Sequence, residues 1–262
     1  MILRTLPATG MLTILFMLTG CDRQENLTTD FEADRSVSKA DLPDFSEYSN
    51  VSEKKSEFFS FIKRMVDEAN REIMVERDAL KTLRDGGKLS ELDEEALNFL
   101  QLMSKKYRVE NEDTGTLIKR LLNRAAPVPP SLAMAQAANE SAWGTSRFAV
   151  KGNNLFGQWC FSKGCGIVPG QRPEDAGHEV ATYSSPYQSV RSYMLNINRH
   201  DAYQELRRIR AEELKQKGYS TGLTLAGGLE RYSERGHEYV DELRSMIRYN
   251  KLSKYDQPEP VH

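Results

Sequence analysis

Apolar positions first fall into a regular pattern at Phe58. Phe58, Phe59, Ile62, Met65, Val66, Ala69 and Ile73 follow one another at helical spacing, which predicts an amphipathic helix running to about residue 83. Asp85-Gly86-Gly87 supplies its stop. Ser90 and Asp93 form a weak capping pattern ahead of a second helix with Ala96, Leu97, Leu100 and Met103, and residues 116–124 predict a third. Lys and Glu fill the outer faces of these helices, which read as scaffold. Pro127-Val128-Pro129-Pro130 then breaks the chain, and a different kind of helix follows at 131–143, SLAMAQAANESAW. Its small residues allow close neighbours, and its lack of charge predicts burial on most sides. Glu140 is its only charge, and Gly144 stands where the helix should end.

Between residues 152 and 183 the helical period disappears and glycines recur. Gly166-Ile167-Val168 and Glu179-Val180-Ala181-Thr182-Tyr183 suit a small irregular hairpin. Helices resume after Ser185-Pro186, with Val190, Tyr193, Met194 and Ile197 on one face, and again at about 201–217, 222–231 and 237–250. The tail, 256–262, carries two prolines and predicts fraying. The expected fold class is mainly α (α+β): a helical body with a small β insertion, preceded by an N-terminal helical region.

The first twenty residues follow another rule. Arg4 precedes a short apolar run that ends at Leu18, the layout of a secretory signal rather than a membrane span. The run closes on Leu18-Thr19-Gly20-Cys21, which resembles the lipobox of bacterial lipoproteins and implies lipidation of Cys21. Asp22 resembles the inner-membrane retention signal of enteric lipoproteins, so the expectation is a periplasm-facing lipoprotein of the cell envelope, at the inner or else the outer membrane. Residues up to 55 are poor in large apolar side chains and read as a disordered tether. The expected boundaries are thus a signal at 1–20, a tether at 21–55, N-terminal helices at 56–112, a catalytic-type domain at 113–255 and a tail at 256–262.

Composition narrows the function. Thirty-six Lys and Arg against 38 Asp and Glu give a net charge of −2 over 262 residues, which argues against a nucleic-acid partner. Three cysteines are too few for a disulfide scaffold. The four histidines, at 178, 200, 237 and 262, have no metal-ligand spacing, and Gly222, Gly227 and Gly228 lack the Lys-Ser/Thr partner of a phosphate loop, so neither metal nor cofactor is expected.

Glu140 carries the clearest chemical signal. A carboxylate in a buried, alanine-rich helix is desolvated, which raises its pKa and makes it competent as a general acid near neutral pH. Burial pattern alone is equally that of a carboxylate at an exposed helix end, or of one tied to backbone.

The surrounding residues add to that reading. Ala135-Gln136-Ala137-Ala138-Asn139-Glu140-Ser141-Ala142-Trp143-Gly144-Thr145-Ser146, followed by Asn154-Leu155-Phe156-Gly157, resembles the bacterial glucosaminidase-domain family, peptidoglycan hydrolases similar to glycoside hydrolase family 73, and closest its Bax-type subgroup. The resemblance spans about residues 115–250. It implies a lysozyme-like fold, β-N-acetylglucosaminidase action on peptidoglycan glycan strands, and Glu140 as the acid that protonates the glycosidic oxygen; amidase activity is also associated with the family. A lytic transglycosylase and an inactive glycan-binding lipoprotein are the alternatives.

Other residues enter with two readings each. Trp143 and Phe156 either keep the acid dry and stack on sugar, or pack the core; Asn154 orients a sugar amide or caps a turn. Gln158-Trp159 departs from the aliphatic-lysine pair usual in the family, which makes Trp159 a substrate-binding candidate. The family's Tyr-Ala-Thr-Asp-Pro-x-Tyr motif is matched loosely by Tyr232 to Tyr239, with one extra residue and no proline. That match assigns Tyr232 to the cleft and Tyr239 to helix packing. A second carboxylate, if one is used, is sought among Glu174, Asp175 and Glu179, with Glu179 preferred, although all three read as solvated surface. Substrate assistance by the acetamido group needs none. In an oxidising compartment Cys160 and Cys165 predict a disulfide-closed turn, in preference to a Cys160–His178 peptidase.

Overall fold

The computed structural model describes residues 31–86, 92–110, 113–170, 177–230 and 235–257. The signal region with Cys21 and Asp22, the turn at Gly87 and Ser90, the acids Glu174 and Asp175, Tyr232, and residues 258–262 lie outside the described residues.

Helices dominate. A short α1 (Arg35–Ser38) leads to α2 (Val51–Asp85), α3 (Glu94–Tyr107) and α4 (Thr114–Arg124). The body continues with α5 (Pro130–Glu140), α6 (Arg147–Gly152), α7 (Pro186–Arg199), α8 (Gln204–Lys217), α9 (Gly222–Leu225) and α10 (His237–Tyr249). Between α6 and α7 lies an antiparallel sheet of β1 (Trp159–Cys160), β2 (Gly166–Ile167) and β3 (Glu179–Ala181), in the order β1-β3-β2. The fold is mainly α with a small β insertion. Among the described residues no helix is long and apolar enough to cross a membrane.

Several boundaries move for physical reasons. The helix expected from Phe58 starts at Val51, where the Asn50 side chain accepts the N–H groups of Ser52 and Glu53. Its first two turns are polar and largely solvent-facing, so apolar spacing did not register them. Asp93 caps α3 by accepting the Ala96 N–H. The stretch at 222–231 is one turn of α-helix followed by a 3₁₀ turn over Ala226–Leu229.

The tether expectation also changes over residues 31–55. Phe45 is buried and meets Phe58 and Phe61 edge to face, at centroid distances of 5.3 and 6.1 Å. Burying one such ring contributes roughly 1.5–3 kcal/mol, and Ala33, Val37, Ala40, Leu42 and Tyr48 add to it by packing on the same core. The backbone N–H of Asp34 donates to Glu68 of α2 at 2.7 Å.

Two apolar clusters share α2. Its first half joins α5, α7 and α10 in the main core, while Leu80 and Leu83 pack with α3 and α4 in a second cluster. An ionic seam ties the halves: Glu72 of α2 accepts from Arg191 of α7 at 2.5 and 2.6 Å and from Lys106 of α3 at 3.0 Å. Burial pushes the Glu72 carboxyl up, but Arg191 and Lys106 outweigh it and hold the pKa below its ordinary value. A cavity of about 250 Å³ lies along this seam, lined by Glu72, Lys106, Tyr183, Arg191 and Ser192, and does not include Glu140.

α5 is the hub of the body. Eight of its residues, Ser131 to Ala138, are buried. Pro130 opens it at a position where a missing N–H costs nothing. Asp256 supplies the absent cap by accepting from the Ser131 N–H at 2.9 Å and from its hydroxyl at 2.6 Å. The helix therefore runs fixed from its start to Glu140, its last residue.

Candidate active site

Glu140 ends α5 three residues earlier than the apolar run suggested. Ala142 (φ 50°), Trp143 (φ 59°) and Gly144 (φ 77°) all adopt the left-handed conformation, which folds the chain sharply away from the carboxylate. Non-glycine residues rarely enter that region, and two in succession persist only when the surroundings over-determine them. Here the Ser141 hydroxyl donates to the Ala137 carbonyl and accepts the Gly144 N–H, while the Trp143 N–H returns to the Ala138 carbonyl at 3.0 Å. Glycine at 144 answers a second demand, because a Cβ there would stand 2.6 Å from the Phe45 ring.

Trp143 ties this turn to α2. Its indole packs edge-on against Phe58 and Phe59 of α2, at 5.6 and 5.1 Å, with the Lys55 ammonium 5.0 Å from the ring. The half-buried indole thereby anchors the turn after Glu140 to α2.

The Asn154-Leu155-Phe156-Gly157 segment faces the carboxylate. Asn154 is buried, and all of its hydrogen-bonding groups are spent on the backbone. Oδ1 accepts from the Phe156 and Gln158 N–H groups, and Nδ2 donates to the carbonyls of Gln158 and Ala181. Of its two readings, turn-capping is the one the structure has; no donor or acceptor remains for a sugar amide. Phe156 is likewise a core residue, stacked on Tyr193 of α7. Gly157, at φ 63°, brings the turn over Glu140, where a Cβ would lie 3.7 Å from Oε2.

Glu140 is half-buried. Burial raises its pKa above the ordinary carboxylate value, the field of Glu242 adds to the rise, and hydrogen bonds from Tyr239 and Asn139 and the charge of Arg235 oppose it. The Tyr239 hydroxyl donates to Oε1 at 2.9 Å. Tyr239, expected only to pack its helix, therefore reaches the acid directly as well as being buried. Its α10 is amphipathic, and the loose motif match favoured Tyr232 instead. Only the approach of α10 to the end of α5 exposes the relation. Gln136, one helical turn before Glu140, was also passed over: it donates to the Tyr239 oxygen at 2.9 Å and accepts from Tyr193 at 2.5 Å. Its position, i−4 from the acid on the same helix, was the available signal.

The β insertion holds the remaining candidates. Cys160 and Cys165 are disulfide-bonded. Glu179, read as solvated, is buried: its carboxylate accepts the N–H groups of Gly164 (3.0 Å) and Gly166 (2.8 Å), clamping the disulfide turn. Cys160, Cys165 and Glu179 have ligand atoms within 4.8 Å of one another, but sulfurs joined in a disulfide offer no thiolate to a metal. Trp159 is 59% exposed and stacks on His178, with centroids 4.2 Å apart, presenting a flat aromatic surface to solvent.

Glu140 thus stands half-buried at the end of a buried helix, with Tyr239 on one oxygen and the Gly157 turn beside the other. The family model described as "Glucosaminidase: Mannosyl-glycoprotein endo-beta-N-acetylglucosaminidase" matches residues 117–252, and the chain belongs to that glucosaminidase family. It is 30% identical over 218 residues to Protein bax of Escherichia coli (strain K12), covering 82% of this chain and 77% of that protein. No solved structure matches it.

Proposed function

We propose that this chain is a β-N-acetylglucosaminidase that cleaves the glycan strands of peptidoglycan, with Glu140 as general acid. The observation that carries the reading is the environment of Glu140. Burial favours its protonated form, and the Tyr239 hydrogen bond holds one oxygen while the other faces the Gly157 turn. Glu140 gives its proton to the glycosidic oxygen as the C–O bond breaks, and the substrate's own acetamido oxygen closes on the anomeric carbon. Substrate assistance suits this site because Glu179 is engaged by two backbone N–H groups of its own hairpin. Trp159 supplies a stacking surface for a sugar ring beside this turn.

Digestion of purified peptidoglycan followed by mass spectrometry tests the assignment. Reducing N-acetylglucosamine ends support it. Anhydro-muramoyl ends would make the protein a lytic transglycosylase, and intact strands would make it a glycan-binding protein.

The reading extends to placement. Lipidation at Cys21 would tether a periplasmic body to the membrane, with the chain joining that body from about Phe31 onward, and Asp22 points to the inner membrane. Incorporation of labelled palmitate into the wild-type chain but not into Cys21→Ala tests this.

A further inference from the structure

A hydrogen-bond chain leads into the proposed acid from the core. The Tyr193 hydroxyl donates to Gln136 Oε1 at 2.5 Å, Gln136 Nε2 donates to the Tyr239 oxygen at 2.9 Å, and the Tyr239 hydroxyl donates to Glu140 Oε1 at 2.9 Å. Gln136, Tyr193 and Tyr239 are each at most 3% exposed, so bulk water does not compete for these groups. An amide has one accepting and one donating end, which gives the chain a direction. Once Tyr193 occupies the oxygen of Gln136, only its N–H groups can face Tyr239, and the single proton of Tyr239 must then point at Glu140. The opposite orientation would turn a phenol lone pair toward a carboxylate oxygen, which is repulsive whenever Glu140 is ionised.

We infer that Gln136 is a positioning residue whose amide, oriented by Tyr193, commits the Tyr239 proton to Glu140 Oε1 and so confines the transferable proton of Glu140 to Oε2. Oε2 is the oxygen that faces Gly157, where the turn carries no side chain. The acid therefore keeps its proton on the same side through protonation and deprotonation, and no hydroxyl has to rotate during turnover. Phe156 belongs to the same device, because its ring lies flat on Tyr193 and sets where that hydroxyl stands. This inference rests on Glu140 being the acid, but its geometry is testable without catalysis.

Among the described residues the charged groups whose fields reach Glu140 are Glu242 of α10 and Arg235 just before it, and Asn139 also hydrogen-bonds the carboxylate. A change at Tyr193 should reach Glu140 through the amide of Gln136 and the Tyr239 hydroxyl. The test is NMR titration of the Glu140 carboxyl in protein labelled with ¹³C-glutamate, the resonance assigned by its loss in Glu140→Gln. Tyr239→Phe should raise the Glu140 midpoint by roughly one pH unit, since it removes a hydrogen bond to the charged form. Tyr193→Phe should move the midpoint in the same direction by less, because the released amide can turn and take the Tyr239 proton for itself. It retains the ring that stacks on Phe156, and near-ultraviolet circular dichroism checks that the core is unchanged.

Gln136→Met leaves Tyr239 donating to Glu140 but without the N–H that polarises it, so the midpoint should rise only slightly. A Tyr193→Phe protein that titrates like wild type while Tyr239→Phe shifts would overturn the relay, whether or not the Gln136 variant folds. An unshifted Tyr239→Phe would overturn it as well. Failure of the functional reading would look different: Glu140→Gln would keep its activity, with these titrations unaffected.

Discussion

The Phe156 ring lies flat on that of Tyr193, with centroids 3.8 Å apart and planes 7° from parallel. This contact gives the Asn-Leu-Phe-Gly segment a physical role that a substrate-binding reading would miss. Asn154 builds the turn, Phe156 seats the turn on α7, and Gly157 lets it pass close to Glu140. The segment shapes the space around the acid through backbone and core contacts.

Glu140→Gln should leave the protein folded and lower glycan hydrolysis by about 10²–10⁴-fold, the usual contribution of a general acid. Gln retains the volume but has no proton to give. Because burial raises the folded-state pKa of Glu140 above its unfolded value, ionisation destabilises the fold. Stability should thus fall as pH rises from the unfolded carboxylate pKa through the folded one, and Glu140→Gln should lack that loss. Thermal melts across pH, paired with digestion assays, measure both.

Asn154→Ala should destabilise the protein by at least ~1–3 kcal/mol, because buried carbonyls and N–H groups lose their partners. Denaturant unfolding reads the loss. If Asn154 instead acted on the sugar, the variant would unfold like wild type and fail only in substrate binding.

Glu179→Gln should retain most of kcat. The amide keeps one acceptor for the two N–H groups of the disulfide turn, so the hairpin carrying Trp159 should loosen and KM should rise. A loss of kcat by orders of magnitude with KM unchanged would make Glu179 the second catalytic carboxylate. Reducing Cys160–Cys165 should cost less than the ~3 kcal/mol of a 15-residue loop, and a disulfide-free control sets the baseline.

The Glu72 seam should fail in acid. Its pKa is held below the ordinary value, so its stabilisation is present above the unfolded carboxylate pKa and is lost as pH falls through the folded one. Glu72→Gln should lower the melting temperature at neutral pH and flatten its decline toward acid. Parallel curves for the two proteins would remove the seam from the list of stabilising contacts.

Much of this was legible in the chain itself. Apolar spacing marked α2, α3, α7 and α10, because a helix that buries one stripe repeats it every three or four residues. Alanine crowding with a lone Glu marked α5 and its acid, since a charge in a buried helix is costly and rarely idle. Glycine recurrence marked the β insertion. The polar first turns of α2 and the folded segment around Phe45 escaped, because a single buried ring in a polar stretch leaves no period to detect.

What only the tertiary structure decided is who touches whom. The loose motif match gave Tyr239 to helix packing alone; it is the packing of α10 against the end of α5 that also sets Tyr239 on Glu140. Local pattern could not tell that Asn154 and Glu179 spend their polar atoms on nearby backbone or that Trp143 packs on α2, since these partners lie on other strands, turns and helices. The residues that can carry chemistry are therefore written in composition and period. Which of them are left free to do so depends on long-range contacts, which no local period encodes.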